Sequence, residues 1–263
     1  MLKTTSQKIV IEGVTLEVVR LLSPQPQAKG PPIIMLHEGL GSISMWRDFP
    51  QLLALQIGCE IIVYSRAGYG NSGPAQLPRT VRYMHDEGLN VLPQMIAALD
   101  IHKPVLLGHS DGASIALICA GGTGVELSGI MLMAPHVMVE EIAVQSIEQA
   151  RVAWQTTSLP ERLGKYHSNV EAAFTGWNDI WLHKDFLLWN IEEYLDSIKY
   201  PVLAIQGLDD EYGTMAQIDI IAQKLPQTQL LKLPDCGHSP HKDQTESVLR
   251  AMSRFLHNKV ECA

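Results

Sequence analysis

The sequence predicts an α/β fold with a mostly parallel eight-stranded sheet, an antiparallel hairpin at its N-terminus, helices on both faces and a helical lid insertion. Three observations support this prediction. Two β-rich stretches open the chain, six short apolar runs then alternate with amphipathic stretches, and one long segment lacks strand signals. The length of 263 residues fits one domain of this class.

The first element is the hairpin. Residues 8–11 and 14–22 are rich in β-branched side chains and flank Glu12-Gly13, a dipeptide suited to a tight turn. The stretch from Ser23 to Pro32 contains four prolines and a glycine, and is predicted to be a loop.

The six apolar runs predict strands that are buried on both faces. Parallel strands have this pattern because helices cover both sides of their sheet. The runs are Ile33–Leu36, Ile61–Tyr64, Val105–Leu107, Ile130–Met133, Val202–Ile205 and Leu230–Leu233. Helical spacing of apolar residues predicts helices at Val81–Leu99, Gly112–Ala120 and Thr245–His257.

The segment 136–199 interrupts this alternation and is predicted to be a helical lid inserted into a core formed by residues 1–135 and 200–263. Four of the five tryptophans lie in this segment. Tryptophans in helices commonly belong to a core. The alternative is that some of them line an apolar pocket under the lid, with Trp154, Trp177 and Trp181 as candidates.

Charge and hydropathy restrict the expected partners to a small-molecule substrate. A net charge of −8 argues against nucleic acid, because phosphate backbones repel an acidic surface. No apolar run approaches the roughly 18 residues of a membrane span. The first residues lack the apolar core of a signal peptide, so a cytoplasmic location is expected. The oligomeric state is left open.

The cysteines predict neither a disulfide framework nor a zinc site. Cys59, Cys119, Cys236 and Cys262 are scattered and form no C-x-x-C pair. Reduced thiols are expected in a chain of this size.

A candidate nucleophile stands in Gly108-His109-Ser110-Asp111-Gly112, which follows a predicted strand and opens a predicted helix. The G-x-S-x-G motif requires this strand–turn–helix setting. Glycines two residues before and after Ser110 relieve crowding where helix and strand approach. The helix N-terminus places amide groups where an oxyanion would develop. The alternative is an ordinary turn serine that caps a helix.

Two further loops, with this motif, carry a resemblance to a known family. These are His37-Glu38-Gly39-Leu40-Gly41-Ser42 and Tyr64-Ser65-Arg66-Ala67-Gly68-Tyr69-Gly70-Asn71-Ser72. In this order, they resemble the oxyanion loop, the following glycine-rich loop and the nucleophile elbow of α/β-hydrolases, from about Ile33 to Leu256. Glu38, Ser65 and Ala67 replace the family's usual glycine, aspartate and proline.

The resemblance implies an oxyanion hole formed by the backbone N–H groups of Gly39 and Asp111. Glu38 is the unusual residue beside it. We expect the Glu38 side chain to point away and brace the loop, because an inward carboxylate would disfavour an oxyanion. The alternative is that Glu38 contacts the substrate.

His238 is the candidate base that would activate Ser110. It follows the last predicted strand in Pro234-Asp235-Cys236-Gly237-His238-Ser239-Pro240, which also fits the family's pattern. His241 is the alternative. We expect His109 to point elsewhere and His37 to hold the oxyanion loop by hydrogen bonding.

Asp210 is the candidate acid that would orient the base, since the family's G-x-x-D spacing selects it. Asp209 is the alternative, and Glu211 is interpreted as a solvated loop charge. The order Ser110, Asp210, His238 along the chain is that of α/β-hydrolases. No metal or organic cofactor is expected.

The leading functional hypothesis is hydrolysis of a carboxylic ester, or a related acyl bond such as a thioester, through an acyl-enzyme. One alternative is C–C bond hydrolysis of a vinylogous diketone ring-cleavage product, with a substrate carboxylate bound by a basic residue. The candidates for that contact are Arg47, Arg151, Arg162 and Lys165. A further alternative is a ligand-binding sensor with slow turnover.

Overall fold

A computed structural model describes residues 2–23 and 30–260 of the chain. Its centre is one eight-stranded sheet with strand order β1-β2-β4-β3-β5-β6-β7-β8. The strands are β1 Lys3–Ile11, β2 Val14–Leu22, β3 Ile33–Leu36, β4 Ile61–Tyr64, β5 Val105–His109, β6 Gly129–Met133, β7 Val202–Gly207 and β8 Thr228–Leu233. The predicted fold class is confirmed.

The N-terminal hairpin pairs β1 with β2 in antiparallel register from Ile11 opposite Val14. Its turn has positive φ at both Glu12 (49°) and Gly13 (80°), the geometry that matches strand twist in a two-residue hairpin. β1 begins five residues before the predicted strand, because its N-terminal half is polar and exposed and shows no apolar pattern. Residues 24–29 of the predicted loop, and Cys262, lie outside the described residues.

The remaining strands pair in parallel from β4 through β8, and β2 joins β4 antiparallel. The chain leaves β3 towards β4 on one side and returns to β5 on the other. The carboxyl ends of β3 and β5 therefore flank a topological switch point, where open parallel sheets commonly bind ligands.

Helices cover both faces of the sheet. They are α1 Phe49–Ile57, α2 Tyr83–Asp86, α3 Leu92–Ala98, α4 Asp111–Gly122, α5 Glu141–Thr156, α6 Leu159–Leu163, α7 Val170–Trp181, α8 Glu192–Leu195, α9 Ala216–Lys224, α10 Pro240–Asp243 and α11 Thr245–Lys259. Two buried clusters result, one on each face. The predicted helix 81–99 is divided: a π-helical turn, Glu87–Val91, joins α2 to α3.

The segment 136–199 contains α5 to α8, a 3-10 turn at Phe186–Leu188 and no strand; one isolated bridge pairs Met138 with Asn190. Its separation from the core as a lid stays a prediction. Within the described ranges, no helix is long and apolar enough to cross a membrane.

Candidate active site

A cavity of about 180 Å³ opens at the carboxyl edge of the sheet, where the loops after β3, β5, β6, β7 and β8 meet. Helices α5 and α7 close it from the other side. Its walls are formed by Glu38, Gly39, Leu40, His109, Ser110, Asp111, His136, Ala143, Ile147, Trp177, Trp181, Glu211, Tyr212, His238 and Ser239. The candidate nucleophile and base therefore share one cavity.

Ser110 forms a sharp turn between β5 and α4. Its backbone has φ 52° and ψ −119°, a conformation that costs a non-glycine residue about 1–3 kcal/mol. Backbone hydrogen bonds on both sides of Ser110 hold this conformation. The Ser110 amide donates to the carbonyl of Met133 at 2.9 Å, and the Ser110 carbonyl accepts from the amide of Ala113 at 2.8 Å.

The two glycines of the motif make this turn possible. A Cβ at Gly108 would collide with the backbone of Ala113, and a Cβ at Gly112 would collide with the carbonyl of Leu36 at the end of β3. Helix α4 can therefore approach β3 and β5 only without side chains at these positions. The turn leaves Ser110 with 6% of its surface exposed, facing the cavity.

His238 is oriented by Asp210. The His238 Nδ1 atom lies 2.8 Å from Oδ1 of Asp210. The same carboxylate accepts from the amide of Tyr212 at 2.9 Å and from the side chain of Gln206 at 3.2 Å. Burial alone would raise the pKa of Asp210, but the hydrogen bond from His238 and its charge lower that pKa below its usual range.

The loops that carry these two residues meet at Gly207, the last residue of β7. A Cβ at Gly207 would collide with the carbonyl of Cys236. The amide of Asp209 donates to the same carbonyl at 3.0 Å, while the Asp209 side chain is exposed. Of the two adjacent aspartates, only Asp210 is thus turned towards His238.

Ser110 Oγ makes no hydrogen bond to His238 among the described residues. Both residues line the same cavity. The His238 ring is packed against Tyr212 at 4.7 Å and against His136 at 5.7 Å between ring centroids. These contacts leave the His238 side chain 11% exposed.

The loop after β3 is held by two buried side chains. The His37 Nδ1 atom donates to the carbonyl of Glu38 at 2.7 Å, and its Nε2 accepts from the amide of Arg66 at 3.0 Å. The guanidinium of Arg66 donates to the carbonyls of both His37 and Glu38. Burial and the nearby Arg66 charge lower the pKa of His37 well below its usual range, so the ring is neutral.

This clamp determines the direction of the Gly39 amide. The peptide between Glu38 and Gly39 is trans, so its N–H points opposite to its C=O. Because the Glu38 C=O points towards Arg66, the Gly39 N–H points away from Arg66. Gly39 also lines the cavity. The Asp111 amide lies in the first turn of α4, where no intrahelical acceptor exists.

The side chain of Asp111 is buried beneath the cavity. Its Oδ2 accepts from the hydroxyl of Tyr83 at 2.7 Å, and that hydroxyl accepts from Nε1 of Trp181 at 3.0 Å. Arg66 lies 3.8 Å from the same oxygen. Burial raises the pKa of Asp111.

Two of the three candidate tryptophans reach the cavity. Trp177 and Trp181 of α7 line it, and the indole Nε1 of Trp177 lies against Gly39. Trp154 does not, which corrects the expectation for that residue. It lies seven residues, or about 10 Å, along α5 from the cavity-lining Ile147. There it stacks on Phe174, with ring centroids 4.1 Å apart.

The surrounding histidines differ from expectation in one respect. His109 packs against Trp46 and His241, yet it borders the cavity and contacts the His238 ring at 5.2 Å. The reason is that the loop carrying His238 folds across the end of β5. His241 is buried between Trp46 and His109 and lies outside the cavity.

Sequence reasoning missed several residues of this site. The sequence patterns assign no role to Arg66 or His136, although a charged residue inside a glycine-rich loop and a histidine just after a strand are detectable signals. Glu211 is exposed as expected, but its carboxylate also accepts from the amide of His238 at 3.1 Å. The basic candidates Arg47, Arg151, Arg162 and Lys165 are not among the residues that line the cavity.

Comparison with known proteins shows the family of this chain. A family model described as the alpha/beta hydrolase family matches residues 33–251. The chain belongs to the alpha/beta hydrolase family. It is an enzyme with hydrolase activity.

Similar proteins of this family include one from Pseudomonas savastanoi pv. phaseolicola named "Putative carbamate hydrolase RutD". It is 27% identical over 250 residues, covering 86% of this chain and 93% of the relative. A carboxylesterase structure from Nitrososphaera gargenis has a TM-score of 0.77 at 18% identity, covering 95% and 98% of the two chains. The enol-lactonase of Burkholderia xenovorans LB400 has a TM-score of 0.74 at 19% identity, covering 96% and 100%.

Proposed function

We propose that this alpha/beta hydrolase cleaves an acyl bond, a carboxylic ester or a carbamate, through an acyl-enzyme on Ser110. The observation that carries the proposal is His238, held by Asp210 at 2.8 Å in the cavity that Ser110 also lines. A serine hydroxyl needs such a base to become a nucleophile. A carbamate is included as a candidate substrate because a relative of similar length is named for carbamate hydrolysis.

The proposed reaction has two halves. In the first, Ser110 Oγ attacks the substrate carbonyl while His238 Nε2 accepts the hydroxyl proton. The amides of Gly39 and Asp111 bind the developing oxyanion. Collapse of the tetrahedral species breaks the acyl bond, and His238 returns the proton to the leaving group. In the second half, a water molecule replaces Ser110 as nucleophile and releases the acid.

The free site lacks the hydrogen bond from Ser110 to His238 that the first step needs. Catalytic hydrogen bonds are often long or misaligned without substrate and tighten in its presence. Asp210 supports the step by holding the proton on Nδ1 of His238, which leaves Nε2 free to accept.

The cavity walls favour a small substrate without a negative charge. The volume of about 180 Å³ is below the roughly 300–1,000 Å³ of pockets for drug-sized ligands. Two residues with carboxylate side chains that are not fully buried, Glu38 and Glu211, line the cavity, and within the described chain no lysine or arginine does. This composition favours short neutral acyl compounds over the carboxylate-bearing substrate of the C–C hydrolase alternative.

The test uses short p-nitrophenyl esters, matched p-nitrophenyl carbamates and a fluorophosphonate label, on wild type and Ser110→Ala. Wild-type labelling at Ser110, with multiple turnovers that fall about 10³-fold or more in the variant, supports the proposal. Labelling of Ser110, together with a single turnover of the p-nitrophenyl substrate that leaves a stable acyl adduct, would favour the slow sensor. Equal turnover by both proteins would refute the role of Ser110.

A further inference from the structure

His167 is a buried histidine of the helical segment 136–199, and it contacts two loops at the edge of the sheet. Its Nδ1 accepts from the amide of Gly70, in the loop after β4, at 3.1 Å. Its Nε2 lies 2.9 Å from the carbonyl oxygen of Leu40, in the loop after β3. With 6% of its surface exposed, the His167 side chain is enclosed between the segment and these two loops.

The two contacts determine where the His167 ring carries its proton. A backbone amide can only donate, so Nδ1 presents a lone pair to Gly70. A carbonyl oxygen can only accept, so Nε2 carries the hydrogen and donates to Leu40. The ring is therefore neutral and held in one tautomer. Burial lowers the pKa of His167, in agreement with this assignment.

The backbone around His167 is anchored on both sides. The amide of Ser168 donates to the carbonyl of Gly70 at 2.9 Å. One residue later, the Asn169 side chain accepts from the amide of Ala172 at 3.0 Å and caps the N-terminus of α7. His167 therefore stands at the start of α7, the helix whose tryptophans form part of the cavity wall.

The loop after β3 forms a tight turn at the cavity. The amide of Gly41 donates to the carbonyl of Glu38 at 3.0 Å, which closes a β-turn with Gly39 and Leu40 at its centre. Both central residues line the cavity. The direction of the Gly39 amide, which the proposed function uses to bind the oxyanion, depends on how the peptide planes of this turn are oriented.

Side chains from two distant parts of the chain hold the two ends of this turn. Arg66 binds the carbonyl of Glu38, which orients the first peptide plane. His167 binds the carbonyl of Leu40, which orients the last. Loss of the bond to Leu40 would leave the turn held at one end, and the Gly39 amide would lose part of its fixed direction.

We propose that His167 is a positioning residue of the oxyanion hole, which ties the helical segment 136–199 to the turn that presents the Gly39 amide. The inference rests on the proposed role of Gly39. His167 acts on the reaction through Leu40, so the segment supports catalysis in addition to forming a cavity wall. Trp177 of the same segment lies against Gly39, so the segment contacts both central residues of the turn.

Two substitutions separate the two hydrogen bonds of His167. The amide group of a glutamine reaches about as far as Nε2, so His167→Gln keeps a donor for the Leu40 carbonyl. The amide group of an asparagine reaches about as far as Nδ1, so His167→Asn keeps an acceptor for the Gly70 amide and loses the bond to Leu40. His183→Asn is the matched control, because His183 is an exposed histidine of the same segment whose Nδ1 also accepts from a backbone amide.

Steady-state kinetics with p-nitrophenyl acetate are the first readout, with urea unfolding to show that each variant is folded. His167→Asn is expected to lower kcat about tenfold, with KM within about threefold of wild type, because an oxyanion donor acts mainly in the transition state. His167→Gln and His183→Asn are expected to keep kcat within about threefold of wild type. A wild-type kcat in His167→Asn, or equal losses in His167→Asn and His167→Gln, would refute the role of the bond to Leu40.

Hydrogen exchange of backbone amides separates failure of this inference from failure of the proposed function. In the unliganded protein the Gly41 amide is bonded within the turn. Mass spectrometry of a peptide that spans residues 37–45 is expected to show faster exchange in His167→Asn than in wild type, and wild-type exchange in His167→Gln. Unchanged exchange in His167→Asn would refute the inference. This readout needs no turnover, so it applies even if the ester is not a substrate.

Discussion

The guanidinium of Arg66 donates from Nη2 to the carbonyl oxygen of Glu38 at 3.0 Å, in a site where Arg66 is fully buried. A second guanidinium nitrogen donates to the carbonyl of His37. One planar group thus fixes two successive peptide units, and with them the direction of the Gly39 amide. Asp111, 3.8 Å away, is its only ion-pair partner within the described chain.

Arg66→Lys is expected to lower kcat about tenfold or more, with little change in KM. The lysine ammonium lacks the planar fork that binds both carbonyls, so the Gly39 amide loses its fixed direction. The measurement is steady-state kinetics with a p-nitrophenyl ester. Arg20→Lys is a matched control, because Arg20 forms a similar two-bond pair with Glu60 at the surface. A wild-type kcat in Arg66→Lys would show that the clamp is not needed.

Gly207→Ala is expected to reduce activity more than stability. A Cβ there would push the carbonyl of Cys236 and the following loop, which moves His238 away from Asp210. Misplacement by about 1 Å can cost on the order of 10²-fold in rate. Gly124→Ala is the control, since nothing lies within 4 Å of a Cβ at that position. Kinetics and urea unfolding of both variants test this, and equal activity of the two would contradict it.

Trp177→Phe is expected to lower kcat/KM about tenfold, whereas Trp154→Phe leaves it unchanged. The Trp177 indole N–H lies against Gly39 at the cavity wall, and phenylalanine removes both this donor and part of the wall. Trp154 stacks on Phe174 outside the cavity. Steady-state kinetics with esters of increasing acyl length give kcat/KM for each variant and measure the effect. Equal losses in both variants would instead indicate general loosening of the helices.

Asp210→Asn is expected to lower kcat about 10³-fold and to change the pH dependence of stability. The Asp210 pKa is lowered in the folded protein, so its carboxylate stabilises the fold above the unfolded pKa, near 3.9. This contribution is lost as pH falls through the folded pKa. The difference in unfolding free energy between wild type and variant should therefore be full at pH 7 and shrink below about pH 4. Urea unfolding at pH 7, 5, 4 and 3 measures it, and a constant difference would argue against the Asp210–His238 pair.

Local patterns were enough to predict the sheet and the turn at Ser110. Strands buried on both faces appear as uninterrupted apolar runs, and the hairpin turn appears as Glu12-Gly13. The conformation of Ser110 requires glycines at fixed short spacing, because the clashes that they avoid occur between adjacent elements. These constraints operate over a few residues, so the sequence displays them directly.

Contacts between distant segments were not visible in this way. Trp154 and Trp177 both lie in the predicted helical segment 136–199, yet only Trp177 reaches the cavity. Their different positions along α5 and α7 decide this, and Trp154 instead stacks on Phe174. Arg66 lies 28 residues from Glu38, and His109 lies 129 residues from His238. Neither pairing has a sequence signal, because each depends on how the loops at the sheet edge fold over one another.

The sequence by itself determined the α/β fold, the family and the order of the candidate nucleophile, acid and base, because short-range sterics and apolar periodicity are encoded in neighbouring residues. Only the tertiary structure decided which aspartate faces His238, where the Gly39 amide points, and that His167 binds Leu40. Those relationships arise when five loops converge at one edge of the sheet, where each buried polar group must find its partner from a remote part of the chain.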